Sequence, residues 1–295
     1  IMPSLVGSEM CIRDRKYFNL CLPRRVIIME VVSYCSILTG GRVLISIINK
    51  IKTNNLTNAS MSESKNYDWL GGLIQTTDSL FPSGGYAHSY GLEEMVALNQ
   101  VSSAKDLEEF LMQQILPSLE KQELPYLRFC VEAVEENNLN ELVSLNEEIS
   151  AWKLTRENRD AGKSQGTQLL RMILEIYECP VSEKFNQSLQ DGRNQCQQIT
   201  ATALLRNAQK APLISSMIAW IYQAVSNFCS ASIKLLRMGE LACQKIIHRC
   251  IDRERVQDLL SKSLDVQRGN AGFFNPLLDI ASARHELAFS RLFIS

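Results

Sequence analysis

The run DSLFPSGGYAHSYGLEE, residues 78–94, places Pro82, Gly84 and Gly85 between two apolar segments and follows them with Tyr86, His88 and Ser89. Two chemistries fit such a run. Glycines that let backbone amides converge at a helix start make a cradle for phosphate, and a serine beside a histidine suggests an activated hydroxyl. The cradle needs an upstream strand pattern and a following lysine, and the sequence supplies neither. The hydroxyl reading fails on geometry, because adjacent residues of a helix do not face one another; His285 beside Glu286 meets the same objection. What remains is a rigid corner. Pro82 fixes φ, Gly84 and Gly85 permit backbone angles closed to other residues, and Tyr86 anchors the outgoing segment.

Two further segments invite a site. AGKSQG, residues 161–166, contains the Gly162-Lys163-Ser164 tail of a P-loop, but the motif requires a glycine where Glu157 stands, and a carboxylate there repels phosphate. The run sits inside a helical pattern, so its glycines are expected to let another helix approach closely. CQKIIHRC groups Cys243, His248 and Cys250. On a helix the two cysteines share a face, while His248 points roughly 200° away from Cys250, which favours buried thiols over a metal site. A helical enzyme that holds a metal or small molecule through His88, His248 and His285 is the competing functional class, and it requires three residues far apart in the chain to converge.

The elements that must position these residues read as helices. Leu107, Phe110, Leu111, Gln114, Ile115 and Leu119 recur at amphipathic spacing behind Ser102 or Ser103 as N-cap. Pro117 is expected to end or kink that helix. Further helices are predicted over 121–136, 139–149 and 155–177, and the apolar stretch after Pro212 is predicted to be a central helix buried on nearly every face. With no comparable alternating pattern after residue 61, the fold class is all-α, a single irregular bundle of about eight to ten helices.

Composition bounds the function. The 295 residues carry 45% apolar and 21% charged side chains and a net charge of −1, so no basic excess calls for nucleic acid. Residues 1–60 differ from the rest: eight Lys and Arg stand against Glu9, Asp14 and Glu30, whereas the remainder is net acidic. The opening PSLVGSEMCIRDR resembles translated adapter sequence, and Met61 begins a polar lead into periodic helix. Residues 1–60 are therefore expected to be a non-native or disordered extension, and 61–295 the domain. Glu30, Gly40, Gly41 and Arg42 break the early apolar stretch before it reaches membrane length, so no membrane partner is expected. The six later cysteines form no C-x-x-C pair, a pattern expected of a reduced, cytoplasmic protein.

Four ordered blocks carry a resemblance. The corner run resembles the N-terminal signature of the UreF family of urease accessory proteins, a Pro-x-Gly-Gly-aromatic turn followed by a Ser-x-Gly-Leu-Glu helix start. TRENRDAGKSQGTQLLRMI at 155–173, SNFCSASIKLLRMGELACQKII from 226, and DIASARHELAFSRLFIS at 279–295 are similar to later blocks of that family. One departure is NQCQQITATALL, which lacks the family's His-x-Pro-type feature. The resemblance implies a non-enzymatic adaptor, without cofactor, that forms a homodimer, binds a UreD scaffold (also called UreH) and recruits the GTPase UreG, which supplies nickel to apo-urease. It marks as partner-binding Pro82, Gly84, Gly85, Tyr86 and His88 at the corner, Arg156 and Arg159 in the second block, and Asp279, Arg284, His285, Glu286, Phe289, Arg291, Leu292 and Phe293 in the tail. Chain ends are usually polar. Here Ile280, Ala283 and Leu287 share a helical face, and Phe289, Leu292 and Phe293 extend an apolar patch among arginines, the composition of an interface hot spot. The 279–295 tail is thus expected to dock UreD and to order fully only in the complex.

Overall fold

Ser103 opens the longest element by the cap its sequence predicts. Its hydroxyl accepts from Asp106 N at 3.2 Å, and the Asp106 carboxylate accepts from Ser102 N and Oγ at 3.0 and 2.7 Å, so the donors at the helix start are satisfied reciprocally. The structure, a computed structural model, describes residues 67–78, 81–192 and 195–294. The predicted extension over 1–60 and the Met61 start lie outside the described residues. Among those described there are eleven helices and no strand. In chain order they are α1 (Asp68–Thr77), α2 (Leu92–Ala97), α3 (104–135), α4 (Leu139–Trp152), α5 (Arg156–Ile176), α6 (Pro180–Gly192), α7 (Gln198–Gln209), α8 (Leu213–Leu235), α9 (Glu240–Cys250), α10 (Arg253–Asp265) and α11 (Pro276–His285). The all-α class is as the sequence implies.

Pro117 does not end its helix. The segment predicted separately over 121–136 is the second half of one rod, α3, which widens into π turns at Leu111–Ile115 and Leu119–Glu123. Leu116 N–H reaches Leu111 O and Leu124 N–H reaches Leu119 O, five residues back, and Pro117 and Pro125 follow directly. A proline lacks the N–H and its ring crowds the preceding turn. Widening the turn before each proline gives that ring room without breaking the rod. The rod stops at Asn137, whose φ of 53° is left-handed, and Asn138 then caps α4 by accepting from Glu141 N.

The core forms where α7 lies against both α5 and α3. Leu107, Leu111, Leu127, Leu145, Ile173 and Phe185 all sit within it almost without exposed surface. Gly166 of α5 makes this approach possible: a Cβ there would stand 2.3 Å from Cys196 O and 2.6 Å from Gln198 N. The close approach expected of the AGKSQG glycines is therefore met by the backbone entering α7. The segment lies in the middle of a continuous helix, α5, with no phosphate-binding loop.

The helix after Pro212 is not buried all round. Met217, Trp220, Ile221, Val225 and Phe228 of α8 face the core, while Ile214, Ile218 and Tyr222 are each about two-fifths exposed. Their spacing of four makes one outward stripe, interrupted by enough Ser and Gln to be tolerated by water. On α9, Cys243 and Cys250 are buried and His248 is exposed, as helical geometry requires. Burial pushes the Cys250 thiol up to about 11 and that of Cys229 on α8 to about 12, so these are packing thiols. No described helix is long and apolar enough to cross a membrane.

Candidate functional site

The corner turns through two left-handed glycines, but not the predicted pair. Gly84 has φ of 85° and the second is Gly91 at 86°, directly after Tyr90 at 51°. Gly85 keeps an ordinary φ and is instead buried close to Asn227 and Gln165. Gly91 serves two needs, because a Cβ there would also meet Ser282 Oγ of α11 at 2.6 Å. Below it the Tyr90 hydroxyl accepts from Gln165 Nε2 and donates to Gln165 Oε1, at 2.7 and 2.9 Å, tying the corner to α5. Burial raises the Tyr90 hydroxyl to about 12 and lowers His88, with the Lys153 charge adding to the latter. Pro82 is exposed and His88 is buried; the Tyr86 side chain lies outside those described.

From this corner, α2 carries Glu93 and Glu94 in its first turn, and α5 carries Glu157 in its own. Such acids ordinarily complement the positive end of a helix. Here they also hold the C-terminal segment. His285, almost wholly buried on α11, directs Nδ1 to Glu157 Oε2 at 2.8 Å and Nε2 to Glu93 Oε2 at 3.0 Å. Each ring nitrogen is thus matched to a carboxylate oxygen from a different helix. Arg291 donates to the other Glu157 oxygen at 2.8 Å, Arg284 to Glu94 at 2.7 Å, and Arg156 to Glu286. Glu93 further accepts the backbone N–H groups of Leu292 and Phe293 at 2.7 and 3.1 Å, and Ile294 N–H reaches Ala87 O at 2.8 Å.

Three blocks separated by up to two hundred residues thus converge on one surface. In this structure the tail is joined through its backbone to the corner. Phe293, expected in the outward patch, is buried, with Lys234 Nζ 5.5 Å above its ring. Around that anchor, Leu287, Phe289 and Leu292 point away from the protein, Phe289 with its whole side chain exposed. Ile280 continues the same apolar face on α11. Arg159 turns inward and donates to the carbonyls of Lys153 and Leu154, closing the α4–α5 turn. Asp279 is half-buried and held above the usual carboxylate range by burial.

The three histidines of the competing enzyme reading are not assembled. His248 is exposed on α9, and His285 has each nitrogen turned to a different carboxylate, so these side chains share no common point. Among the described residues no group of three or more His, Cys, Asp or Glu stands ready to hold a metal. The residues that sequence reasoning missed are Glu93, Glu94, Glu157 and Gln165. Their first-turn placement reads as helix-dipole compensation, which conceals a second use.

The family model UreF matches residues 101–251. Among curated proteins the chain is 26% identical over 226 residues to "Urease accessory protein UreF" of Actinobacillus pleuropneumoniae serotype 5b (strain L20), spanning 77% of this chain and 99% of that protein. It is similarly 26% identical to "Urease accessory protein UreF" of Haemophilus influenzae (strain PittEE), over 77% of this chain and 95% of that one.

Proposed function

The chain belongs to the UreF family, and on that basis we propose that it is a urease maturation factor, an adaptor that bridges a UreD/UreH scaffold and the GTPase UreG during nickel insertion into apo-urease. The observation that carries this reading is the C-terminal junction. A tail whose backbone is fixed by Glu93 and Ala87 presents Leu287, Phe289, Leu292 and Ile294 outward on a rigid base. Preorganisation of that kind lowers the cost of ordering an interface, and an exposed aromatic residue, Phe289, among aliphatic side chains and arginines suits a protein partner. The scaffold is assigned to this face. The outward stripe Ile214, Ile218 and Tyr222 of α8 supports a homodimer through a separate surface. The adaptor works in the cytoplasm and performs no catalysis of its own.

The test is activation of urease in cells that carry the structural and accessory genes from the same source. Omitting this chain should leave urease without activity at ordinary nickel supply, and restoring it should recover activity. The purified chain alone should neither hydrolyse GTP nor retain stoichiometric nickel, yet should change the GTPase rate of UreG once UreD is added. Full urease activity without this chain would overturn the assignment.

A further inference from the structure

A cavity of about 580 Å³ lies between α3, the α4–α5 junction, α8 and the loop ahead of α11. That volume suits a small organic ligand. Trp152, Trp220 and Phe228 supply aromatic wall. Glu123 is held by Trp220 Nε1, which donates to it at 2.8 Å. The Lys153 ammonium makes no hydrogen bond within the described residues; it lies 5.7 Å from the centre of the Trp152 ring and feels the Glu123 charge. It lies beside Gly162, where a Cβ would stand 2.1 Å from Nζ and 2.5 Å from Gln197 Oε1, a buried acceptor without a hydrogen-bond partner. Three polar atoms of the lining residues are buried without a partner: Trp152 Nε1, Asn275 Nδ2 and Asn158 Oδ1. Asn275 is itself more than nine-tenths buried, its other side-chain atom capping α11.

Buried polar groups are almost always paired, and each unpaired one is costly. Of the unpartnered atoms two are donors and one an acceptor, Lys153 adds a cation, and the Glu123 and Asp279 carboxylates complete the polar lining. We propose that the cavity is a binding site for a small organic anion, a carboxylate on an aromatic body. The carboxylate accepts from Lys153 and the Trp152 and Asn275 N–H groups, and the ring system stacks among Trp220 and Phe228. Leu278 and Asp279 of α11 also line it, so it adjoins the docking face, but its occupancy does not depend on the partner assigned there.

The full chain is titrated by calorimetry with 1-naphthaleneacetate, its neutral amide and 1-naphthylethylamine. The acid should saturate one site per chain and bind about tenfold tighter than the amide, since charge-assisted hydrogen bonds are roughly twice as strong as neutral ones. Lys153→Met, checked for an unchanged melt, should erase that difference, and Ala224→Phe should block all three probes by filling the cavity. Glu123 of α3 and His88 of the corner interact electrostatically with Lys153, and Tyr90 and Asp279 line the same cavity. Burial lowers Lys153 to about 8, so the preference for the acid should fade as pH rises through that value. An acid that binds no better than the amide, a preference for the amine, or an advantage that survives Lys153→Met would overturn the proposal.

Discussion

Where α7 lies against α3 and α5, contact is made by apolar side chains such as Leu127, Ile173 and Ile199, none more than 2% exposed. Where α11 and the tail meet α2 and α5, contact is made by His285, Arg284, Arg291 and the carboxylates they bond. The first region is held by removal of surface from water, which is insensitive to which apolar partner does the covering. The second depends on named pairs, each lost when one partner changes. Damage to the core should therefore be read in stability, and damage to the outward face of the junction in partner binding.

The largest effect is expected in the core. Leu127→Ala should lower unfolding free energy by about 2–5 kcal/mol in denaturant titration, the range for a buried leucine truncated in a packed site. The matched truncation at the junction surface, Phe289→Ala, should change stability by no more than about 0.5 kcal/mol. Equal losses at the two positions would erase the distinction. Between these lies His285→Ala, which leaves Glu93 and Glu157 without their shared partner and should cost about 1–3 kcal/mol. A neutral result there would mean the junction contributes no stability.

A charge pair outside both regions sharpens the contrast through pH. Arg268 bonds Glu148 at 2.5 Å and also pairs with Glu141, and its guanidinium holds the Glu148 carboxyl below its ordinary value of 4.5. A carboxylate whose folded value is depressed stabilises above its unfolded value and loses that contribution as pH falls toward the folded one. Arg268→Met should then lower stability modestly at neutral pH, because the pair is partly exposed, and the difference from the parent should shrink as pH falls below about 4.5, flattening the acid limb. The smallest effect is expected for Lys163→Ala, which should leave both the melt and the absence of heat on GTP titration unchanged. Nucleotide heat in the parent that vanishes in the variant would restore a P-loop reading.

The same contrast explains what was legible in the sequence. Helix periodicity revealed α3, α4 and α5, because a core face repeats along one segment, and Ser103 announced its cap. The continuity of α3 through Pro117 was not legible, since the π turns that accommodate the proline have no local signature. Glycine types marked the corner but not which of them turns left-handed; Gly91 does so, and Ser282 of α11 approaches it too closely for a Cβ. At the junction, the quoted blocks named Arg284, His285 and Arg291, yet their partners Glu93, Glu94 and Glu157 lie 128–192 positions away and look like ordinary first-turn acids. Phe289 and Phe293 have identical chemistry, and only the fold decides that one is an anchor and the other an outward face.

The central claim is that the outward face of the tail docks the scaffold while its backbone stays fixed to the corner. Phe289→Asp with Leu292→Asp, in the full chain, places two charges on that face and leaves the backbone bonds to Glu93 in place. Co-purification with UreD from the same source, measured alongside thermal melting, is the direct test. The account predicts that UreD is no longer retained while the melt stays within a few degrees of the parent. Undiminished retention of UreD, or a collapse of the melt, would contradict it.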